Sequence, residues 1–411
     1  MKRVFPERRV VRLGAVVRII PFIAIVYLLL AYGVYAAFTS QIPSGNDFYP
    51  RWRGTKALVV EGRDPYSDEV TLDIQQGMYG RPAREDEDQV GFAYPLYVSL
   101  LLLPFALLPY PFAQALWVSA LILTILAALL VILRTLEWHP SPLGLVGLAL
   151  WSVLFYPSAR SIILGQISIV VLALVALALW TLEQRYEALA GCLLAASTIK
   201  PQMVFLIVPF LLLVSLRRGA RKTIVAFLCT MVVLVLLCLI VLPTWIPSFL
   251  AGLGSYQSYT SIYREGNSPL GVIFAYLLPS GLAVPVAGLV SMALVACLAY
   301  TWIVSIRQQT NTYRTLFLTI VTTLLIPAQT GTTNQVLLLL PIIYLLARYP
   351  GNWAIRVALP SLLLVGPWLL FLLAFPAGNG EHAILSVPLP ILTLAILPWT
   401  AHRAHFDVES S

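Results

Sequence analysis

The sequence predicts an all-α polytopic membrane protein with about 12 transmembrane helices and a long first extracytoplasmic loop that carries surface helices. Of its 411 residues, 59% are hydrophobic and 11% are charged, whereas a soluble domain has about 25% charged residues. Apolar stretches long enough for a membrane span recur from Val16 to Thr400. These observations exclude a soluble enzyme, a disordered chain and a coiled coil, and they predict one integral membrane domain over residues 1–411.

The basic residues stand in short clusters between the apolar runs. The net charge is +8, and Arg217–Lys222 is one such cluster. This distribution is typical of the cytoplasmic loops of membrane proteins. It predicts contact with membrane lipids and no nucleic-acid partner.

The first span is predicted at the apolar run Ile19–Phe38, which follows six basic residues in the segment that ends at Arg18. A cleaved signal peptide is the alternative, because Ala36 and Ala37 are small enough for a cleavage site. The apolar run is longer than the 7–15 residues that are usual in signal peptides. We therefore expect an uncleaved helix with its N-terminus in the cytoplasm.

Residues 39–91 form the one long polar segment, and it should be extracytoplasmic. It contains 10 of the 18 acidic and six of the 26 basic residues. Phe48–Val60 suits a short helix on the membrane surface, and the Gly and Asp-Pro content of 62–66 predicts a turn. The charge run Glu85–Asp88 is interpreted as a solvated loop without chemistry.

The remaining spans are predicted at about 93–109, 112–134, 143–158, 161–182, 188–216, 223–245, 283–305, 315–328, 333–347, 357–375 and 384–401. This arrangement puts both termini and the basic clusters in the cytoplasm of a multi-pass cell-membrane protein. Region 143–216 could hold two, three or four membrane segments, some of them re-entrant. Many spans are interrupted by proline, and the backbone groups freed there require protein or a wet cavity, so we expect a polar cavity inside.

No internal repeat is visible, and the long outer loop has no counterpart in the second half. This argues against the inverted-repeat design of many secondary transporters. A lipid or solute transporter or flippase nevertheless remains one alternative to an enzyme. A second alternative is an envelope polymerase or ligase that uses a lipid-diphosphate donor.

Asp47 is the first candidate for chemistry, because it follows the outer end of the first predicted span. A carboxylate at the mouth of a membrane cavity can act as a general base on a hydroxyl group. The alternative is that Asp47 caps the surface helix that follows it. Its position alone favours the capping role.

Lys200 interrupts an apolar stretch from Ala188 to Leu216 and precedes Pro201. A lysine at membrane depth is costly, so it is either functional or reaches the headgroups. The helix break at Pro201 could place the ammonium group beside a cavity, where an anionic phosphate would be its natural partner. Both interpretations of Lys200 stay open.

Three further polar islands interrupt the apolar sequence. One contains Arg160 and Gln166, and Gln166 could simply bind a neighbouring helix. A second runs from Gln329 to Gln335 around Asn334, where a tight loop is the alternative. The third lies in 256–268 and contains Asn267.

These motifs follow one another in a fixed order over most of the chain. They are Asp47-Phe48-Tyr49, Ala57-Leu58, Gly62-Arg63-Asp64-Pro65-Tyr66, Tyr94-Pro95, Gly165-Gln166, Ala190-Gly191, Lys200-Pro201, Asn267-Ser268 and Asn334-Gln335-Val336-Leu337 to Pro341. In this order the chain resembles the GT-C membrane glycosyltransferases, in particular glycosyltransferase family 87, the polyprenol-phosphate-mannose-dependent α-mannosyltransferases. Asn334 departs from the pattern, since some members have a His there.

The resemblance implies transfer of a sugar, such as mannose, from a polyprenyl-phosphate donor to a glycolipid or glycan acceptor on the extracytoplasmic side. Asp47 would be the catalytic base, and a single displacement would invert the anomeric centre. No cofactor and no metal are expected. The candidate substrate-binding residues are Lys200, Tyr49, Arg63, Tyr66, Gln166, Asn267 and Asn334.

Overall fold

The structure, a computed structural model, describes residues 13–41, 47–85, 87–259, 268–308, 312–327, 331–348, 353–374 and 381–397. Within these ranges the regular structure is helical throughout. The helices are α1 (Leu13–Val34), α2 (Phe48–Glu61), α3 (Asp68–Tyr79), α4 (Val98–Ala106), α5 (Tyr110–Thr135), α6 (Pro142–Leu154), α7 (Tyr156–Leu164), α8 (Ser168–Glu183), α9 (Glu187–Ser197), α10 (Ile207–Arg217), α11 (Arg221–Val241), α12 (Trp245–Tyr259), α13 (Pro269–Leu277), α14 (Ser280–Gln308), α15 (Thr312–Leu325), α16 (Leu339–Arg348), α17 (Trp353–Ala374) and α18 (Pro388–Ile396). A π-helical turn, Tyr35–Thr39, continues α1, and 3₁₀ helices form at Pro201–Met203, Thr332–Leu338 and Ala383–Ser386.

The all-helical prediction is confirmed, but the number of 12 spans is not. Five helices in the described ranges are long and apolar enough to cross a membrane, at Ile20–Thr39, Tyr110–Thr135, Arg221–Val241, Gly281–Gln308 and Val357–Ala374. The pair α6 and α7, bent by 57°, makes a sixth if it is one span. Most other predicted spans are apolar helices of fewer than 18 residues.

Three predicted spans in region 143–216 are wrong as continuous helices. Span 143–158 bends by 57° between α6 and α7, and the other two breaks have a local cause. Span 161–182 is interrupted because Gly165 adopts a left-handed conformation (φ 67°) between α7 and α8, which ends an α-helix. Span 188–216 is interrupted between α9 and α10, where Pro201 begins a short 3₁₀ helix. Region 143–216 therefore contains five helices, α6 to α10. Hydropathy detects the apolar stretch but not the change of chain direction.

The helix predicted at Phe48–Val60 in the polar loop is observed as α2. It buries one side, with Phe48, Trp52 and Ala57 in the core. Gly62, with φ of 66°, ends the helix in the predicted turn. A loop helix thus packs against the helical body, and its first residue is held there.

Ion pairs join α2 to α3 in the same loop. Arg53 contacts Glu61 at 2.8 Å and Asp73 at 2.7 Å, and Arg63 contacts Asp73 at 2.8 Å. The hydrogen bond from Arg53 lowers the pKa of the Glu61 carboxyl group. These pairs fix the two loop helices relative to each other.

The charge run at 85–88 is also anchored in part. Arg81 binds Glu87 through both guanidinium nitrogens at 2.6 Å. This hydrogen bonding lowers the pKa of Glu87 to about 2. Asp86 lies outside the described residues.

The core lies around α8, whose side chains are buried on nearly all sides. By contrast, α11 and α17 expose apolar side chains such as Ile240 and Leu373, each 78% exposed. Such surfaces are expected where helices contact lipid. Hydrogen bonds connect the start of α2, the break between α7 and α8, the break between α9 and α10, and the 3₁₀ helix Thr332–Leu338.

Candidate active site

The site begins at Asp47, directly before the first turn of α2. Its side chain makes no capping hydrogen bond to the helix, so the capping role is wrong. Instead, the carboxylate Oδ2 accepts a short hydrogen bond from Nε2 of Gln166. The Asp47 backbone carbonyl accepts a short hydrogen bond from Nη1 of Arg51, one turn further along α2. The carboxylate therefore points into the protein and away from its own helix.

Gln166 reaches Asp47 because the chain breaks at Gly165. A Cβ atom on Gly165 would lie 2.6 Å from Cβ of Phe48, so only glycine fits without displacement. Trp117 stacks on Phe48 with ring centroids 5.4 Å apart and donates through Nε1 to the Gly165 carbonyl at 2.8 Å. Gly165 and the stacked rings of Phe48 and Trp117 together set the position of Gln166.

Two buried cations converge on the side-chain oxygen of Gln166. Its Oε1 accepts from Nη2 of Arg51 at 3.1 Å and from Nζ of Lys200 at 3.0 Å. Arg51 is 5% exposed and Lys200 is 4% exposed. The two charges lie within about 6 Å of each other, where like charges repel. With Asp47 ionised and both basic side chains protonated, the group carries one net positive charge.

Lys200 extends the group to the 3₁₀ helix Thr332–Leu338. Its ammonium donates to Oγ of Ser168 at 2.8 Å, and Ser168 donates to Oδ1 of Asn334 at 3.3 Å. Ser168 and Asn334 are almost completely buried. The break after α9 thus places Lys200 between Gln166 and Asn334.

The side chain of Tyr94 packs against the guanidinium group of Arg51. Its hydroxyl accepts from Nη2 of Arg51 at 2.5 Å, and the guanidinium carbon lies 4.3 Å from the ring centroid. The backbone carbonyl of Tyr94 accepts from the hydroxyl of Tyr66 at 2.6 Å. Tyr66, a candidate substrate-binding residue from the resemblance, thus holds the backbone of Tyr94 beside Arg51.

Comparison with known proteins assigns the chain to a family. The family model of glycosyltransferase family 87 matches residues 92–328, more than half of the chain. The protein belongs to glycosyltransferase family 87. It is a membrane glycosyltransferase of the GT-C type. No curated protein and no solved structure gives a significant match.

The segment matched in this glycosyltransferase contains part of the site. Tyr94, Gln166 and Lys200 lie within it, whereas Asp47 and Asn334 lie outside. The structure brings the inside and outside residues together through the hydrogen bonds at Gln166 and Ser168. The site is thus assembled from five separate parts of the chain.

Four predicted site residues meet in this group, namely Asp47, Gln166, Lys200 and Asn334. Two others do not. The ring of Tyr49 packs against Trp52 and Tyr110, at 5.6 and 4.8 Å between centroids. Arg63 binds the carboxylates of the loop, so its contacts hold α2 and α3 together. Asn267 lies outside the described residues.

Arg160, predicted in one island with Gln166, is separated from it. Its guanidinium lies 5.8 Å from the ring centroid of Phe371, on the side of α17. The left-handed turn at Gly165 sends Gln166 in another direction. The two side chains of this predicted island therefore have different neighbours.

The sequence analysis missed Arg51 and Ser168. Arg51 had a signal, since it follows Asp47 by four residues in a predicted helix, and such residues share one face. Ser168 had none, because a serine in an apolar run is common. Its role depends on Lys200 and Asn334, which are distant in sequence.

In the candidate site, the side-chain amide of Gln166 lies between the carboxylate of Asp47 and the two cations, Arg51 and Lys200. A carboxylate can accept a proton from a hydroxyl nucleophile, and fixed cations can stabilise charge that develops on a leaving oxygen. Within the described ranges, no group of three or more His, Cys, Asp or Glu side chains could hold a metal ion. The side chains of this group can supply acid–base and electrostatic chemistry.

Proposed function

We propose that the protein transfers a sugar, with mannose as the first candidate, from a polyprenyl-phosphate donor to a hydroxyl group of a glycolipid or glycan acceptor. The observation that carries this proposal is the convergence of Arg51 and Lys200 on one oxygen of Gln166. Two buried cations beside one carboxylate leave an excess positive charge, which favours an anionic ligand.

The size of this excess favours a monophosphate donor. A sugar bound to polyprenyl phosphate has one negative charge at the phosphate, whereas a lipid-diphosphate sugar has two. One excess positive charge matches the first donor. When the bond to the sugar breaks, the leaving phosphate gains a second negative charge. The cations then bind the transition state more strongly than the donor, which is the condition for catalysis.

Asp47 is the proposed general base. It takes the proton from the acceptor hydroxyl as that oxygen attacks the anomeric carbon. The bond between the anomeric carbon and the phosphate oxygen breaks, and polyprenyl phosphate leaves with the electron pair. A single displacement of this kind inverts the anomeric centre.

The distribution of basic residues supports an extracytoplasmic site. Helix α8 begins at the site with Ser168 and ends at Glu183, which pairs with Arg218 at 3.3 Å. At that far end, Arg348 donates to the carbonyl of Leu136 at 3.5 Å. The basic cluster 217–222 lies at the same end, and such clusters remain in the cytoplasm. The opposite end, with Asp47, is then extracytoplasmic and separated from cytoplasmic sugar nucleotides.

Purified protein and labelled donors test this function. We expect label transfer from polyprenyl-phosphate mannose to acceptors such as octyl α-mannoside. Parallel reactions use polyprenyl-phosphate glucose, a polyprenyl-diphosphate sugar and GDP-mannose. Transfer only from the diphosphate donor or only from GDP-mannose would overturn the proposed donor class, and transfer only from the glucose donor would correct the sugar.

A further inference from the structure

A second polar group lies on the other side of the 3₁₀ helix Thr332–Leu338. Its centre is the carboxylate of Glu381, whose Oε1 accepts from the hydroxyl of Tyr156 at 2.8 Å and, by a short hydrogen bond, from the hydroxyl of Thr332. Both donors are buried, whereas Glu381 is partly exposed. Glu381 forms no ion pair within the part of the chain that the structure describes.

Arg160 faces the same group from α7. It follows Tyr156 by four residues, so the two side chains share a helix face. The rings of Trp368 and Phe371 lie 5.0 and 5.7 Å from the Tyr156 ring, and the Arg160 guanidinium lies over Phe371. Nε of Arg160 is buried without a hydrogen-bond partner among the described residues. A carboxylate and a guanidinium, each without an ionic partner there, thus flank one tyrosine and two aromatic rings.

This group is close to the proposed catalytic group. Thr332 binds Glu381, and Asn334, two residues later in the same 3₁₀ helix, binds Ser168. A 3₁₀ helix rises about 2 Å per residue, so these positions differ by about 4 Å along its axis. Oγ of Ser161 also donates to the carbonyl of Thr333 at 3.2 Å and fixes the helix between the two groups. The same 3₁₀ helix therefore carries one residue of each group.

We propose that Glu381 and Arg160 form the binding site for the acceptor sugar. The carboxylate accepts hydrogen bonds from hydroxyl groups of the sugar, and the guanidinium donates to them. The rings of Trp368 and Phe371 supply an apolar surface for its C–H groups. Oriented polar groups with aromatic neighbours are the usual composition of a small-molecule site.

The chemistry of the Glu381 and Arg160 group fits the acceptor better than the donor. This inference rests on the proposed function, in which Arg51 and Lys200 hold the donor at its phosphate. The acceptor has no such charge and must still bring one hydroxyl group to Asp47. It therefore needs a separate set of hydrogen-bonding groups. Glu381 lies beyond the segment that the family model matches.

The test separates acceptor binding from donor binding. Glu381→Gln keeps an oxygen for Tyr156 and Thr332 but removes the charge. One hydrogen bond to a charged group is worth enough for an acceptor KM about tenfold higher, with the donor KM changed less than about twofold. Glu183→Gln, at the far end of α8, is the matched control and should change neither KM.

A second variant distinguishes a loss of acceptor binding from a folding defect. Arg160→Gln removes a guanidinium whose contact in the described structure is a ring, and it should raise the acceptor KM in the same way. Thermal unfolding of both variants is measured beside the kinetics. If both KM values and kcat change together with a large loss of thermal stability, Glu381 only holds the 3₁₀ helix, and the proposal is overturned.

Direct binding distinguishes this proposal from the proposed function. Octyl α-mannoside is titrated into wild type and into Glu381→Gln without any donor. Weaker binding to the variant supports the acceptor site even if no donor tested gives transfer. Equal binding to the two proteins, or a rise in donor KM alone, overturns it.

Discussion

The side-chain amide of Gln166 donates a hydrogen bond to the carboxylate of Asp47 across 119 residues of sequence. The amide oxygen on the same side chain accepts from Arg51 and Lys200. One neutral residue therefore connects the candidate base with both candidate phosphate-binding cations. This arrangement keeps the opposite charges close without a direct ion pair between the side chains of Asp47 and the two cations.

Replacement of Asp47 by asparagine tests the base. The variant keeps the shape of the side chain but cannot take a proton from the acceptor at neutral pH. A general base contributes about 10²–10⁴-fold to the rate, so we expect transfer to fall by about that factor. Donor binding should change little. Turnover per folded molecule and donor affinity are the measurements.

Asp64 provides the matched control in the same loop. Its Oδ1 accepts from the backbone amide of Tyr66 at 2.8 Å and shapes the turn. Asp64→Asn should lose stability before it loses turnover. If Asp64→Asn is folded and inactive while Asp47→Asn turns over normally, the base is misassigned. If both variants are folded and active, the proposed mechanism is wrong.

Gln166→Glu tests the need for a neutral residue between the charges. The new carboxylate has the same shape, but it would pair with Arg51 and Lys200 and repel Asp47. The positive excess would disappear, so we expect the donor KM to rise about tenfold or more, since unfavourable charge placement costs several kcal/mol. Kinetics at varied donor concentration measure this.

Gln76→Glu controls for the added charge alone. Gln76 is exposed on α3, and its amide donates to the carbonyl of Gly80. This variant should keep the donor KM of the wild type. A Gln166→Glu variant with unchanged donor KM would mean that the donor phosphate does not lie beside Gln166.

Gly165→Ala tests the backbone break that positions Gln166. A left-handed conformation costs alanine about 1–2 kcal/mol, and overpacking against Phe48 adds about 1–3 kcal/mol. We expect a lower temperature of unfolding and reduced turnover. Thermal unfolding and transfer assays on the same preparation measure both.

Two control substitutions, Gly80→Ala and Gly147→Ala, separate the backbone cost from the packing cost. Gly80 has φ of 70° and no neighbour within 4 Å of an added Cβ, so Gly80→Ala carries the backbone cost alone. Gly147 is helical with no such neighbour, so Gly147→Ala should be tolerated. Equal stability of the Gly165 and Gly80 variants would mean that the contact with Phe48 adjusts without cost.

Part of this group of residues could be singled out from the sequence, because polar residues are conspicuous in apolar runs. Gln166, Lys200 and Asn334 interrupt such runs, Asp47 follows the first predicted span, and all four are connected by hydrogen bonds in the structure. Composition likewise predicted the all-helical class. Both predictions rest on the cost of polar groups in an apolar environment.

Other features depended on contacts between distant segments. Position alone favoured a capping role for Asp47, because the bond from Gln166 cannot be inferred from neighbouring residues. The number of spans was not confirmed, since hydropathy does not register the turn at Gly165 or the short helices around Pro201. Arg51 could have been predicted from helical spacing, because it follows Asp47 by four residues.

Single cysteines test the proposed sidedness. In a background without the four native cysteines, a cysteine is placed at Glu69, whose side chain is 76% exposed in the loop. A second is placed at Lys222, exposed at the start of α11. An impermeant maleimide should label position 69 in intact cells and position 222 only after permeabilisation. Labelling of position 222 from outside would reverse the orientation and move the site to the cytoplasm.

Lys200 tests the phosphate site directly. Lys200→Met removes the charge but keeps a long apolar side chain, so we expect the donor KM to rise at least about tenfold, as for loss of a hydrogen bond to a charged group. Lys200→Arg should be milder, because it keeps the charge, yet not silent, because the guanidinium is larger and planar. Ser168→Ala, which removes only one partner of the ammonium, is the matched control and should have a smaller effect than Lys200→Met.

The double variant Arg51→Gln/Lys200→Met completes this test. If both cations bind one phosphate, their effects on donor binding are coupled, and the double variant differs from the sum of the single variants. Thermal stability of the same variants is measured without donor, because the two cations also share one oxygen of Gln166 and are coupled there. Additive effects on donor binding would mean that the two cations act on separate groups. Unchanged donor binding in Lys200→Met would leave Lys200 as a structural link between Gln166 and Ser168.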